Sequence, residues 1–135
     1  MKIHKLLAAA ACLGVLTACV VGLALAAEQD AKPGKALRHV VLFKFKEGTT
    51  AEQIQSVEKA FAELAKKIEG IAGFEWGTDV STENLSQGFT HCFLVTFKTA
   101  AARDAYLPDP AHKEFVAFVG KYLDKALVVD YWTQE

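Results

Sequence analysis

The stretch AYLPDPAHKEF, residues 105 to 115, sets Tyr106 and His112 on either side of two prolines. A histidine with one ring nitrogen tied by a neighbour keeps the other as a base near neutral pH, and a tyrosine hydroxyl can donate to an oxygen on which charge develops. That pair suits acid–base chemistry. Asp130 is the odd member of the apolar run LVVDYW, and a carboxylate there needs a partner. His112 is the candidate, because a carboxylate on one ring nitrogen would fix the tautomer. His112 also falls in the first turn of a helix opened by Pro110, where the positive end of the helix dipole disfavours imidazolium. His39 opens the first strand and completes a set of four. In the catalytic reading His112 is the general base, Asp130 orients it, Tyr106 donates and His39 contacts a ligand. A plainer reading stands beside it, with His112 bonded to Asp130 for structure, Tyr106 a core aromatic and His39 a satisfied strand-end residue.

The elements that would carry these residues follow from periodicity. LRHVVLFKFK, from Leu37, alternates as a strand with His39, Val41, Phe43 and Phe45 on one face. Thr50 followed by Gln53 resembles a capping box, and Ile54, Val57, Phe61, Leu64 and Ile68 then recur at helical spacing, which predicts a helix from Ala51 to Glu69. FEWGTDVS and FTHCFLVTFK read as the second and third strands. Thr99 caps a helix that Pro108 stops, and Asp109 with Pro110 restarts it, placing His112, Phe115, Val119 and Tyr122 on one face. KALVVDYW closes as a fourth strand. The order βαββαβ predicts an α+β ferredoxin-like sandwich, an antiparallel sheet in spatial order 4-1-3-2 with both helices on one face. That topology sends His39, Tyr106, His112 and Asp130 to one end of the layer between sheet and helices, and His91 to the other. Several strands are apolar on both faces, so a second subunit is expected on the open side of the sheet.

The ends and the composition bound the rest. MKIHK, an unbroken apolar run and the small residues Ala24 and Ala26 predict an export signal over residues 1–26. Two alternatives stand: a retained anchor helix, and a lipoprotein attached through Cys19 of LTAC. Residues 27–36, with Pro33 and Gly34, read as a flexible tether to a single domain over residues 37–133. The whole chain carries 15 basic and 16 acidic residues; without Lys2 and Lys5 the count is 13 against 16, a net charge of −3. No basic cluster is present, which argues against nucleic acid as a partner. Beyond the signal only Cys92 remains, so neither an intramolecular disulfide nor a zinc site built on paired cysteines can form there. No metal or organic cofactor motif is found, and no membrane contact beyond the export signal is expected.

RHVVLFKFKEGTT, GFTHCFLVTFK and AYLPDPAHKEFV, with the closing VVDYW, closely resemble the stress-responsive dimeric α/β-barrel (Dabb) proteins over residues 37–133. The resemblance implies a ferredoxin-like subunit whose sheet packs on that of its twin to make a homodimeric barrel. One plant member uses a tyrosine and a histidine of this same segment to cyclise a linear polyketide. The corresponding positions are Tyr106 and His112, with His39 and Asp130 at positions that line its pocket; Asp109 stands where that enzyme has histidine. The expectation is a small apolar pocket that binds or converts a small hydrophobic, oxygenated molecule. The alternative is a non-catalytic stress-linked interaction or protective protein, and a cofactor-free monooxygenase is a weaker third.

Overall fold

The computed structural model describes residues 31–134. The export signal, the anchor alternative and Cys19 lie outside the described residues. Four strands and three helices follow in the order β1 (Leu37–Phe45), α1 (Ala51–Lys67), β2 (Ile71–Thr78), β3 (His91–Phe97), α2 (Ala100–Tyr106), α3 (Pro110–Val119) and β4 (Leu123–Trp132). The strands form one antiparallel sheet in the order β2-β3-β1-β4, as the element order predicts. This is a ferredoxin-like α+β fold, with the helix interval between β3 and β4 divided in two at Pro108.

The caps behave as the sequence predicts. The Thr50 hydroxyl accepts from the Gln53 amide at 3.3 Å and the Gln53 side chain accepts from the Thr50 amide at 2.9 Å, closing the capping box of α1. That helix ends at Lys67, two residues before the expected Glu69. Ile68 turns extended and closes on the Leu64 carbonyl, and Gly70 then takes φ +96° to reverse the chain into β2. The strand β2 pairs from Ile71 to Thr78; the Asp79 amide still donates to the Thr90 carbonyl at 2.9 Å, and its side chain then accepts from the Ser81 amide as the loop begins. Tyr122 lies beyond the end of α3 rather than on its face.

The core fills one side of the sheet. Val57, Phe61 and Leu64 of α1 and Phe115 and Val119 of α3 pack on Leu37, Val41 and Phe43 of β1 and on Phe93, Val95 and Phe97 of β3. Phe61 lies at its centre, 4.6 Å from both Phe93 and Phe115 between ring centroids. On the opposite face of the sheet no helix lies among the described residues. There Val40, Leu42 and Leu94 are half-buried, and Leu127, Val129 and Tyr131 are exposed.

Where the chain enters and leaves, the two ends hold each other. Thr133 donates its amide to the Ala36 carbonyl, Ala36 donates to the Thr133 hydroxyl at 3.0 Å, and Lys32 lies 5.0 Å over the Trp132 ring. The last residues of the expected tether are thus tied to the end of β4.

Candidate active site

Register brings the first pair together. His39 and Asp130 are directly opposed across β1 and β4, so their side chains leave the sheet on the same face, toward the helices. The His39 Nδ1 meets Asp130 Oδ1 at 2.6 Å. The other carboxylate oxygen, Oδ2, accepts from Arg103 Nη1 of α2. Asp130 is therefore the partner of His39 and Arg103, and the expected bond from Asp130 to His112 does not form. The physical reason is adjacency: Asp130 lies directly opposite His39 on the same face, whereas His112 is held on the Leu107 carbonyl by the helix break.

That break can be traced atom by atom. In a continuous helix the Leu107 carbonyl would accept from the Ala111 amide. Asp109 instead caps α3 by accepting the Ala111 amide at 2.8 Å, with Pro110 at the first helical position. The Leu107 carbonyl is left to accept from His112 Nδ1 at 3.0 Å. A carbonyl can only accept, so Nδ1 carries a proton, and in the neutral ring Nε2 keeps its lone pair. The tautomer expected from a carboxylate is set by a backbone oxygen.

Between the two histidines lies Tyr106, the last residue of α2, only 1% exposed. Its ring centroid is 4.2 Å from that of His112 and 5.7 Å from that of His39. Burial pushes the Tyr106 phenol far above its ordinary range, which keeps it a proton donor. His39, 5% exposed, is shifted down from 6.5, first by burial and then by the charge of Arg103. The Asp130 carboxylate acts in the opposite sense on His39, but the net direction is toward the neutral imidazole. Tyr106, His39 and His112 thus form one cluster, and Asp130 joins it through His39.

The cluster borders an opening. Val41 and Phe43 are buried under the helices, yet their β4 partners Val128 and Ala126, on the same face, are exposed, Val128 by 53%. The helices cover β1 and β3 and leave the helix-side face of β4 uncovered. Ala126, Val128 and Asp130 line that exposed strip of β4, and His112 is half-buried.

At the far end of the sheet a second histidine is satisfied structurally. His91 Nε2 meets Glu58 Oε1 at 3.0 Å and Nδ1 meets the Thr90 hydroxyl at 2.9 Å, under the Trp76 ring. Its position there agrees with the topology argument. Among the described residues no group of three or more His, Cys, Asp or Glu is arranged to hold a metal ion.

Residues 37–133 match the family model described as Stress Responsive A/B Barrel Domain. The chain belongs to this family. It is 45% identical over 95 residues to the stress-response A/B barrel domain-containing protein HS1 of Arabidopsis thaliana, covering 70% of this chain and 87% of that protein. It is 31% identical to olivetolic acid cyclase of Cannabis sativa, over 71% of this chain and 95% of the cyclase. Among solved structures, hydroxynitrile lyase from Passiflora edulis superposes with a TM-score of 0.71 at 26% identity, covering 76% of this chain and 97% of that one. A dimeric ferredoxin-like protein of unknown function from Jannaschia sp. CCS1 does so with a TM-score of 0.63 at 27% identity, over 71% and 97%. The stress-responsive family thus includes relatives named for small-molecule chemistry, which is consistent with a role in binding or converting a small molecule.

Sequence reasoning about this family member missed Arg103. Its signal was available: Arg103 precedes Tyr106 by three residues in one helix, so both share a face, and Asp130 needed a cation or a donor.

Proposed function

We propose that the chain is an exported homodimer that binds and converts a small hydrophobic, oxygenated molecule by acid–base chemistry at the Tyr106 cluster beside the exposed strip of β4. The observation that carries this reading is the flanking of Tyr106 by two histidines whose Nδ1 atoms are engaged, that of His39 by Asp130 and that of His112 by the Leu107 carbonyl. In that arrangement His112 Nε2 takes a proton from the bound molecule, Tyr106 donates to the oxygen on which charge develops, and His39 and Asp130 line the ligand. The exposed, apolar Val128, two residues from Asp130 on the same face, suits a hydrocarbon substituent. The names of the cyclase and of the hydroxynitrile lyase support the same reading, since both concern small oxygenated molecules.

The test uses two probes of that chemistry, olivetolic acid and an aromatic hydroxynitrile. Binding is followed by chemical shifts of the histidine imidazoles, and hydroxynitrile cleavage by release of the aldehyde. Shifts at His112 and His39, with turnover lowered about 10²- to 10⁴-fold by His112→Ala or Tyr106→Phe at unchanged folding, fit the proposal. No shift with either probe and no turnover would favour the non-catalytic, protective reading. Export is tested by the intact mass of the protein recovered outside the cytoplasm. Loss of residues 1–26 fits cleavage, whereas a diacylated Cys19 or a retained apolar segment identifies one of the two anchored forms.

A further inference from the structure

Arg103 has no part in the chemistry proposed above, yet it occupies the only described cationic position against Asp130. Its guanidinium reaches two carboxylates, donating from Nη1 to Asp130 Oδ2 and from Nε to Asp104 Oδ1 at 2.8 Å. Asp130 in turn uses its remaining oxygen, Oδ1, on His39. The chain of contacts Asp104, Arg103, Asp130, His39 runs from the surface of α2 into the layer between helices and sheet and ends beside Tyr106.

Burial favours the neutral form of His39 first, and the charge balance along that chain adds to it. A carboxylate partner favours the imidazolium, against the burial that disfavours it. A guanidinium on the far side of the same carboxylate draws off its field and repels a second positive charge. Nδ1 of His39 must donate, since an ionised carboxylate only accepts, so the neutral ring carries its lone pair on Nε2. No described side chain bonds that Nε2, and the Tyr106 ring packs edge-on against the imidazole at 69°, 5.7 Å between centroids. The groups facing His39 are Asp130 from β4, Arg103 and Tyr106 from α2, with Asp104 behind Arg103 and His112 behind Tyr106. From β3 it faces the apolar Val95 and Phe97.

We infer that Arg103 is a positioning residue that acts through Asp130 to hold His39 as a neutral imidazole protonated on Nδ1, leaving its Nε2 as a second proton acceptor beside Tyr106. This deepens the functional reading above and rests on it for the use of that acceptor. It makes the site two-sided, with His112 and His39 on opposite flanks of one phenol.

The experiment is a ¹⁵N-imidazole NMR titration of the purified protein, which reads tautomer and protonation midpoint for each histidine without any ligand. In the unaltered chain His39 should show the Nδ1-protonated neutral form at neutral pH, and its midpoint should lie below 6.5. Arg103→Gln keeps an amide donor for Asp130 but removes the charge. It should strengthen proton binding at His39 about tenfold, one unit of midpoint, while His91 at the far end stays put. Arg103→Lys should restore the original midpoint. An unmoved His39 midpoint in folded Arg103→Gln overturns the inference. So does a neutral His39 protonated on Nε2 in the unaltered chain, a result that needs no variant to fold. If both probe ligands fail to bind while the His39 midpoint moves as stated, the functional reading fails and the positioning role of Arg103 stands.

Discussion

At the scale of single residues, the state of the site is set by groups that a spacing argument ranks as minor. His112 owes its tautomer to a backbone carbonyl released by the Asp109 cap, and Asp130 serves His39 rather than His112. Removing His112 therefore does not strand the Asp130 carboxylate. Removing His39 takes away one of its two described partners and leaves Arg103. His39 also couples folding to pH with a definite sign. Its folded value lies below its ordinary 6.5, so near and below that pH the unfolded chain binds the proton that the folded chain refuses. Stability contributed by the neutral ring is present above about 6.5 and is lost as pH falls from there toward the folded value. Denaturant midpoints measured between pH 7.5 and 5 should fall with acid, and the slope should flatten in His39→Gln. An identical pH slope in that variant would show that His39 is not the group responsible.

At the scale of elements, the break between α2 and α3 is the device that aims the chemistry. Pro108 stops one helix, Asp109 and Pro110 start the next, and the turn between them is closed by the Asp109 amide on the Tyr106 carbonyl at 3.2 Å. Tyr106 ends the first helix and His112 sits in the first turn of the second, so a change of direction at the prolines lets the two rings meet at 4.2 Å. Asp109→Ala should cost about 0.5–2 kcal/mol of stability, the usual scale for an N-cap. It should also return the Ala111 amide to compete for the Leu107 carbonyl, disturbing the bond to His112. Thr99→Ala removes the matching cap of α2, where the Thr99 hydroxyl accepts from Ala102 at 3.0 Å, and should cost a similar amount. Only Asp109→Ala should alter the His112 tautomer signal in the imidazole spectrum. Equal effects of the two variants on that signal would mean that the cap does not set it.

At the scale of the whole molecule, the uncovered sheet face bears on assembly. Leu127, Val129 and Tyr131 stay exposed beside Val40, Leu42 and Leu94, and a stable interface of ordinary size covers about 800 Å² per partner. Sedimentation equilibrium should give twice the chain mass, and Val129→Lys should shift it toward the monomer. A wild-type monomer at micromolar concentration would sink the homodimer. The free thiol of Cys92 lies on this same face, raised from its ordinary value by burial and by Glu75. Strand and helix order, the sheet order, the buried stripe from Val57 to Leu64 and the three N-caps Thr50, Thr99 and Asp109 were legible in the amino-acid sequence. Each depends on local periodicity, on short-range hydrogen bonding or on topological rules that hold across proteins. The same rules put His39, Tyr106, His112 and Asp130 at one end of the fold. Which of them would bond was not legible, because a pairing depends on register and on the direction of each side chain to within an ångström. Tertiary structure alone opposed Asp130 to His39, brought Arg103 onto the same carboxylate and handed His112 to the Leu107 carbonyl.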